Sequence, residues 1–207
     1  TRVFRGFENV GTDYGMIMSV LGGDDSGGGV IWAPHVLDAA RDHGLVLAET
    51  GVLYDTQKGE QLPDGVRPMP NLTEEQLAEI PEVPASVVVP NYVRRYWDMM
   101  ALAKHEPCDV ISATGLIKDK PGFQVELLAR TSVSSDSYAN PQHEVLVVMR
   151  GHWKLTWDDQ EVVLNPGDTC WVPPGLVHAI AACVSGEASL YRISKTNDSA
   201  GLTWSGG

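Results

Sequence analysis

One stretch decides the fold of this chain: residues 167–178 read GDTCWVPPGLVH. Gly167 permits a tight turn, because a residue without a Cβ accepts a positive φ. The two prolines and Gly175 then force a bend, and the strand that follows begins with His178 and points it inward. Turn, strand, bend and strand in such close succession are typical of a closed antiparallel β-structure.

The same alternation of short strands and turns continues on both sides of this stretch. Short segments of strand-forming residues alternate with glycine, proline and aspartate turns about every eight to twelve residues. The predicted strands cover residues 123–132, 144–149, 152–157, 161–164, 169–172, 178–183 and 188–194. We therefore expect residues 123–194 to form an antiparallel barrel with Glu144 and His178 both pointing inside.

Two spacings resemble the conserved motifs of the cupin superfamily. Gly167, five residues, Pro-x-Gly, two residues and His178 match the second cupin motif, and Glu144 followed after six residues by Gly151 matches the end of the first. The resemblance implies an all-β cupin barrel, or jelly roll. In the family, the first motif begins with His-x-His, and those two positions fall here on Tyr138 and Asn140.

The familiar cupin metal site would use the positions of Tyr138, Asn140, Glu144 and His178. Three histidines and one glutamate would suit Fe, Mn, Ni or Cu, and Zn is a further possibility. Because tyrosine and asparagine replace two imidazoles, we expect a degenerate site in which Glu144 and His178 alone are metal-ligand types. His143 adjoins Glu144 on the same strand and should face the opposite side.

The N-terminal part contains a second, shorter resemblance. Residues 1–7 and 14–21 read as a strand pair, and Arg5 and Asn9 fall at the histidine and asparagine of another second cupin motif. We therefore predict that residues 1–21 are the closing hairpin of a preceding cupin barrel. On this hypothesis Thr1 is not the start of the gene product, and the chain resembles the second half of a bicupin, quercetinase-like or homogentisate-dioxygenase-like.

Residues 22–122 are predicted to be a helix-containing linker between that hairpin and a C-terminal cupin barrel over residues 123–207. Three helices are expected in this stretch. The first covers 34–43, the second begins at a capping box that starts at Thr73, and the third covers 92–104. A hairpin is expected over 45–62, turning near Lys58 and Gly59.

Composition limits the partners. The formal net charge is −12, which argues against nucleic acid and anionic membranes, because both attract basic surfaces. No apolar run is long enough to span a bilayer, and Cys108, Cys170 and Cys183 lack zinc spacing. We expect a cytoplasmic homo-oligomer that binds a small molecule and pairs with a missing N-terminal cupin half or another copy of the chain.

Three functions stay open at this point. The first is a small-molecule-binding or structural half of a bicupin with Tyr138, Asn140, Glu144 and His178 in its pocket and no cofactor. The alternative is a metal-dependent dioxygenase acting on a small aromatic or enolised substrate, as the resemblance to dioxygenase bicupins implies. Metal-free acid–base catalysis by His178 and Tyr138 is the third. Whether the chain is an enzyme is thus undecided by its sequence.

Overall fold

A computed structural model describes residues 6–20, 31–80, 83–118, 122–134 and 136–195 of the chain. The chain divides into two compact units, one ending at Pro84 and one beginning at Ala85. No helix in these described ranges combines the length and the apolar character that crossing a membrane requires.

The first unit is small. It contains helix α1 (Pro34–Asp42), a two-stranded antiparallel sheet of β1 (Leu45–Leu47) and β2 (Leu53–Asp55), and helix α2 (Glu74–Ala78). The predicted capping box is present, since Thr73 accepts from the backbone of Gln76 and the Gln76 side chain accepts from the backbone of Thr73. The predicted hairpin differs in its turn: β1 and β2 are joined near Gly51, and the residues before Gly59 form a 3₁₀ helix.

The second unit is a barrel of two antiparallel sheets preceded by helices α3 (Ala85–Tyr92) and α4 (Tyr96–Leu102). The helix predicted over 92–104 is therefore divided, and α4 begins only at Tyr96. The larger sheet has the order β3-β4-β10-β5-β8 and the smaller one the order β7-β6-β9. Their bounds are β3 (Cys108–Ile111), β4 (Phe123–Ala129), β5 (Glu144–Arg150), β6 (Trp153–Trp157), β7 (Gln160–Leu164), β8 (Thr169–Val172), β9 (His178–Ala182) and β10 (Ser189–Lys195).

Strand alternation builds the core between the two sheets. The inward side chains of both sheets meet in one apolar cluster centred on Trp153, which is fully buried. The cluster comprises Leu128, Leu146, Val148, Trp153, Leu155, Leu164, Val172, Ile180, Ala188 and Leu190. The predicted all-β antiparallel barrel is confirmed, and all seven strands predicted within it are present.

The barrel sheet reaches further upstream than the sequence indicated. Strand β3, within the stretch predicted to be a linker, pairs with β4 and places Cys108 opposite Leu127. Helix α4 also packs on the barrel, where the Tyr96 hydroxyl lies 2.6 Å from the buried hydroxyl of Ser189. The boundary predicted at residue 123 therefore falls inside this unit.

The predicted N-terminal strand pair is not found in the residues that can be described. Residues 6–20 contain no strand, and the side chains of Phe7, Tyr14, Met16 and Ile17 are exposed. A strand requires a neighbour to pair its backbone groups, and none of the described backbone pairs with this segment. Residues 1–5 and 21, including Arg5, lie outside the described residues.

Candidate functional site

The interior of the barrel is apolar at one end and polar at the other. Along β5, Val148 and Leu146 belong to the apolar cluster, and the next inward residue is Glu144. Along β9, His178 lies two residues before Ile180 and therefore on the same face of the strand. Glu144 and His178 are 0% and 1% exposed, and such burial of ionisable side chains requires internal partners.

The Glu144 carboxylate is the centre of this polar end. Its Oε1 accepts a hydrogen bond from the Tyr138 hydroxyl at 2.8 Å and lies 3.2 Å from His178 Nε2. Its Oε2 accepts from Asn140 Nδ2 at 3.2 Å. Both carboxylate oxygens are thus engaged by protein donors, and the structure brings together all four side chains that were predicted from the sequence.

The imidazole ring of His178 is held on both sides. Its Nδ1 lies 2.9 Å from the carbonyl oxygen of Leu176, which can only accept, so Nδ1 is the donor in that contact. Its Nε2 lies 3.2 Å from Glu144 Oε1.

Backbone hydrogen bonds hold the residues Tyr138 to Asn140, here called the strap, across this end of the barrel. The N–H and carbonyl groups of Tyr138 bond reciprocally to those of His178, at 2.8 and 2.9 Å, and the Asn140 carbonyl accepts from Gly175 N–H at 2.8 Å. The strap explains why Tyr138 and Asn140 reach Glu144 although they lie outside the named strands.

The phenol of Tyr138 is a neutral hydrogen-bond donor. Burial raises its pKa well above the ordinary value, the negative charge of Glu144 raises it further, and Arg192 partly opposes both effects. Its ring lies 4.3 Å, centroid to centroid, from the His178 ring. Tyr138 therefore stays protonated at neutral pH and fills space that an imidazole would leave open.

A second ion pair completes the polar end. Arg192 on β10 alternates with Leu190 of the apolar cluster and so faces inward, directly opposite Glu126 on β4. Nε donates to Glu126 Oε2 at 2.8 Å. Burial acts to lower the pKa of Arg192, but its hydrogen bond to Glu126 and the charge of that carboxylate outweigh burial and raise it.

Sequence reasoning missed Arg192 and Glu126. The available signal was their alternation with apolar residues inside predicted strands, which places a charged side chain on the inward face.

The donor set does not fit the metal centre that the resemblance implies. Among the residues described, no group of three or more His, Cys, Asp or Glu side chains is placed to hold a metal ion. Tyr138 and Asn140 point donor hydrogens at Glu144 and so occupy the lone pairs that a cation would need. First-row metal sites in proteins usually use three or four protein ligands, and only Glu144 and His178 are of a suitable type.

Two histidines that are close to Glu144 in the sequence lie elsewhere in the structure. His143 is on the outer face, as strand alternation predicts, where its ring stacks on Trp171 and its Nδ1 accepts from the Trp171 Nε1–H at 3.2 Å. His152 Nδ1 lies 3.0 Å from Asn165 Oδ1. Neither residue contacts Glu144 in the described structure, so neither replaces a missing imidazole.

Comparison with known proteins identifies the barrel. Residues 124–194 match the family model described as the cupin domain. This barrel has the cupin fold. No curated protein matches the sequence.

Several solved structures resemble the chain. A cupin-2 domain containing protein from Shewanella frigidimarina is 20% identical, with a TM-score of 0.38 over 50% of this chain and 94% of that one. A cupin-like protein from Thermotoga maritima is 19% identical, with a TM-score of 0.37 over 44% and 68%. Hydroxypropylphosphonic acid epoxidase from S. wedmorenis is 23% identical, with a TM-score of 0.32 over 37% and 45%.

Proposed function

We propose that this cupin domain is a metal-independent, small-molecule-binding domain. One observation carries the proposal: both oxygens of Glu144 already accept hydrogen bonds, Oε1 from Tyr138 and Oε2 from Asn140, and Oε1 also contacts His178 Nε2. The protein donors supply the positive partial charge that a metal ion would otherwise provide. A buried carboxylate satisfied in this way has no need of a cation.

We expect the small molecule to bind where the polar end is only half-buried. Tyr138, Asn140, Arg192 and Ser194 are each partly exposed there, above the buried Glu144–His178 pair. Small-molecule sites typically combine an apolar interior with a few fixed polar groups. The dioxygenase alternative would require a metal ion to displace the donors of Tyr138 and Asn140, and the geometry favours it less.

Metal analysis of the purified full chain tests the proposal. We expect substoichiometric Fe, Mn, Ni, Cu and Zn by inductively coupled plasma mass spectrometry, and a melting temperature that does not change when EDTA is added. Metal present at one equivalent per chain and held by Glu144 and His178 would contradict the proposal and favour the dioxygenase alternative.

The double variant Tyr138→His, Asn140→His provides a gain-of-function comparison. Restoring both imidazoles gives a set of three histidines and one glutamate, which suits first-row metals. We expect the double variant to bind Ni or Zn at least about a hundredfold more tightly than the native chain, since each added ligand strengthens a site substantially. The matched control is His143→Gln, on the outer face, which should leave affinity unchanged. Equal affinity of the double variant and the native chain would count against a vestigial metal site.

We also propose, in line with the bicupin resemblance, that the domain works beside a second barrel, in a different part of the protein or in another copy. The exposed apolar side chains of Phe7, Tyr14, Met16 and Ile17 support this, because large apolar side chains left open to solvent in one segment are available to a partner. Light scattering coupled to size-exclusion chromatography tests it. A monomeric full-length protein in which Phe7 and Tyr14 stay open to solvent would refute it.

A further inference from the structure

The barrel contains an inward-facing cation that the metal-independent proposal leaves without a role. Arg192 lies at the half-buried polar end, opposite Glu126 on one neighbouring strand and Leu146 on the other. Its side chain is 20% exposed. Placing an arginine inside a barrel is unfavourable, because its side chain loses conformational entropy and its charge loses water. An arginine on the surface would avoid both penalties.

The guanidinium of Arg192 is engaged along one side. Nε donates to Glu126 Oε2 at 2.8 Å, and Nη2 lies 2.8 Å from the same oxygen. Within the described residues Nε is the only nitrogen of the Arg192 guanidinium with a side-chain hydrogen bond shorter than 3.5 Å, and the nearby Tyr138 hydroxyl also interacts with the guanidinium and raises the pKa of Arg192. Arginine has five N–H donors in a planar fork, so the end formed by Nη1 and the second Nη2 hydrogen is available to a planar, two-oxygen acceptor.

The surroundings favour an acceptor of one kind. The Arg192 Cζ atom lies 5.5 Å from the centroid of the Tyr138 ring, which forms an aromatic wall beside the fork. The Tyr138 hydroxyl is directed at Glu144 and is not available to a ligand as a donor. Glu126 is the carboxylate that contacts the guanidinium, and it does so from the side of Nε and Nη2.

From this arrangement we propose that the polar end of the barrel binds a small organic carboxylate through the free fork of Arg192. The proposal rests on the proposed function, because a metal at Glu144 would compete for the same anion. A carboxylate accepts two parallel N–H hydrogen bonds from arginine in one plane. A lysine in its place offers only a point charge and loses that geometry.

Ligand-observed NMR on the metal-depleted full chain tests the proposal. Acetate and benzoate are the probes, benzamide is the neutral analogue of benzoate, and inorganic phosphate is the tetrahedral anion. We expect benzoate to bind at least about tenfold more tightly than benzamide and phosphate, the ratio that one bidentate charged pair supplies. Failure of both acetate and benzoate to bind, or equal binding of benzoate and benzamide, overturns the proposal.

Variants locate the binding. Arg192→Lys should weaken benzoate about tenfold or more, whereas Arg67→Lys, in an exposed ion pair with Glu49, is the matched control and should change nothing. Glu126→Gln removes the competing carboxylate and should tighten benzoate binding, which keeps the test decisive if Arg192→Lys does not fold. Unchanged benzoate affinity in Arg192→Lys, or in Glu126→Gln, overturns the proposal.

The two proposals fail in different ways. Benzoate binding that appears only when Zn or Fe is added back would refute the metal-independent function. Absence of benzoate binding in both metal-depleted and metal-loaded protein refutes the carboxylate site and leaves the metal-independent function standing.

Discussion

Tyr138 contributes a single hydroxyl to the polar end, so its removal isolates one hydrogen bond. Tyr138→Phe deletes the donor to Glu144 Oε1 and keeps the ring against His178. We expect the free energy of unfolding to fall by about 1.5–3 kcal/mol, the range for a hydrogen bond to a charged acceptor. Urea denaturation measures it, with Tyr92→Phe, an exposed tyrosine, as the control that should stay within about 0.5 kcal/mol.

The raised pKa of Tyr138 also predicts a dependence of stability on pH. In the unfolded chain tyrosine titrates near pH 10, and in the folded chain Tyr138 holds its proton to higher pH. Its contribution is therefore complete below about pH 10 and is lost as the pH rises through the folded pKa.

The comparison between native chain and Tyr138→Phe isolates this effect. Between pH 9 and pH 11 the native chain should lose more unfolding free energy than the variant, because the variant has no phenol at this site. Urea denaturation at each pH measures both slopes. Parallel slopes would show that burial of Tyr138 does not perturb its titration.

The turn between β5 and β6 requires glycine for two reasons: its backbone has a positive φ, and a side chain there would have no space. Gly151, between β5 and β6, has φ +69°, and a Cβ there would lie 2.7 Å from Ala188 Cβ and 2.8 Å from the Glu187 carbonyl oxygen. Gly175 has φ +77° with nothing within 4 Å of such a Cβ. The two positions share the conformational requirement and differ in the contact.

Gly151→Ala and Gly175→Ala therefore separate strain from overlap. Gly175→Ala should cost about 1–2 kcal/mol of unfolding free energy from the left-handed backbone alone. Gly151→Ala should cost about 1–3 kcal/mol more, because β5 must move away from the start of β10. Thermal and urea unfolding of both variants measure the two losses of unfolding free energy. A larger loss for Gly175→Ala than for Gly151→Ala would contradict the prediction.

The sequence predicted elements well where turn chemistry and alternation agree. Gly167, Gly175 and the spacing to His178 specify a turn, a bend and an inward side chain locally, so the barrel strands could be predicted. Strand β3 could not, because Cys108 is recognisable as part of the barrel only through its pairing with Leu127, nineteen positions later in the sequence.

The candidate site was predictable in part for the same reason. Tyr138, Asn140, Glu144 and His178 follow from motif spacing. The contacts between them depend on the strap, whose backbone bonds join residues 138 and 178 across the fold. Arg192 and Glu126 come from strands with no motif, and their pairing depends on register, which the sequence of either strand alone does not determine.

At the scale of the whole molecule, the unit that begins at Ala85 is larger than the segment matching the cupin family. Strand β3 covers the edge of β4, and helix α4 buries Met99 against the barrel. Without them β4 would present unpaired backbone groups and apolar side chains, which is a route to edge-to-edge association.

We therefore predict different behaviour for two fragments. A fragment of residues 85–207 should remain dispersed with a cooperative unfolding transition, whereas residues 123–207 should aggregate or unfold at lower urea concentration. Size-exclusion chromatography and urea denaturation compare them. A dispersed, equally stable shorter fragment would mean that β3 and α4 are dispensable.

The strap gives the two parts of the polar end different binding kinetics. Arg192 is partly exposed and can meet a ligand on first encounter, at a rate that rises with ligand concentration. Glu144 is enclosed, and a molecule can reach it only after the side chains of Tyr138 and Asn140, which the strap holds in place, have moved away from its carboxylate. The rate of any reaction at Glu144 therefore levels off at the rate at which these side chains move away, however much ligand is supplied.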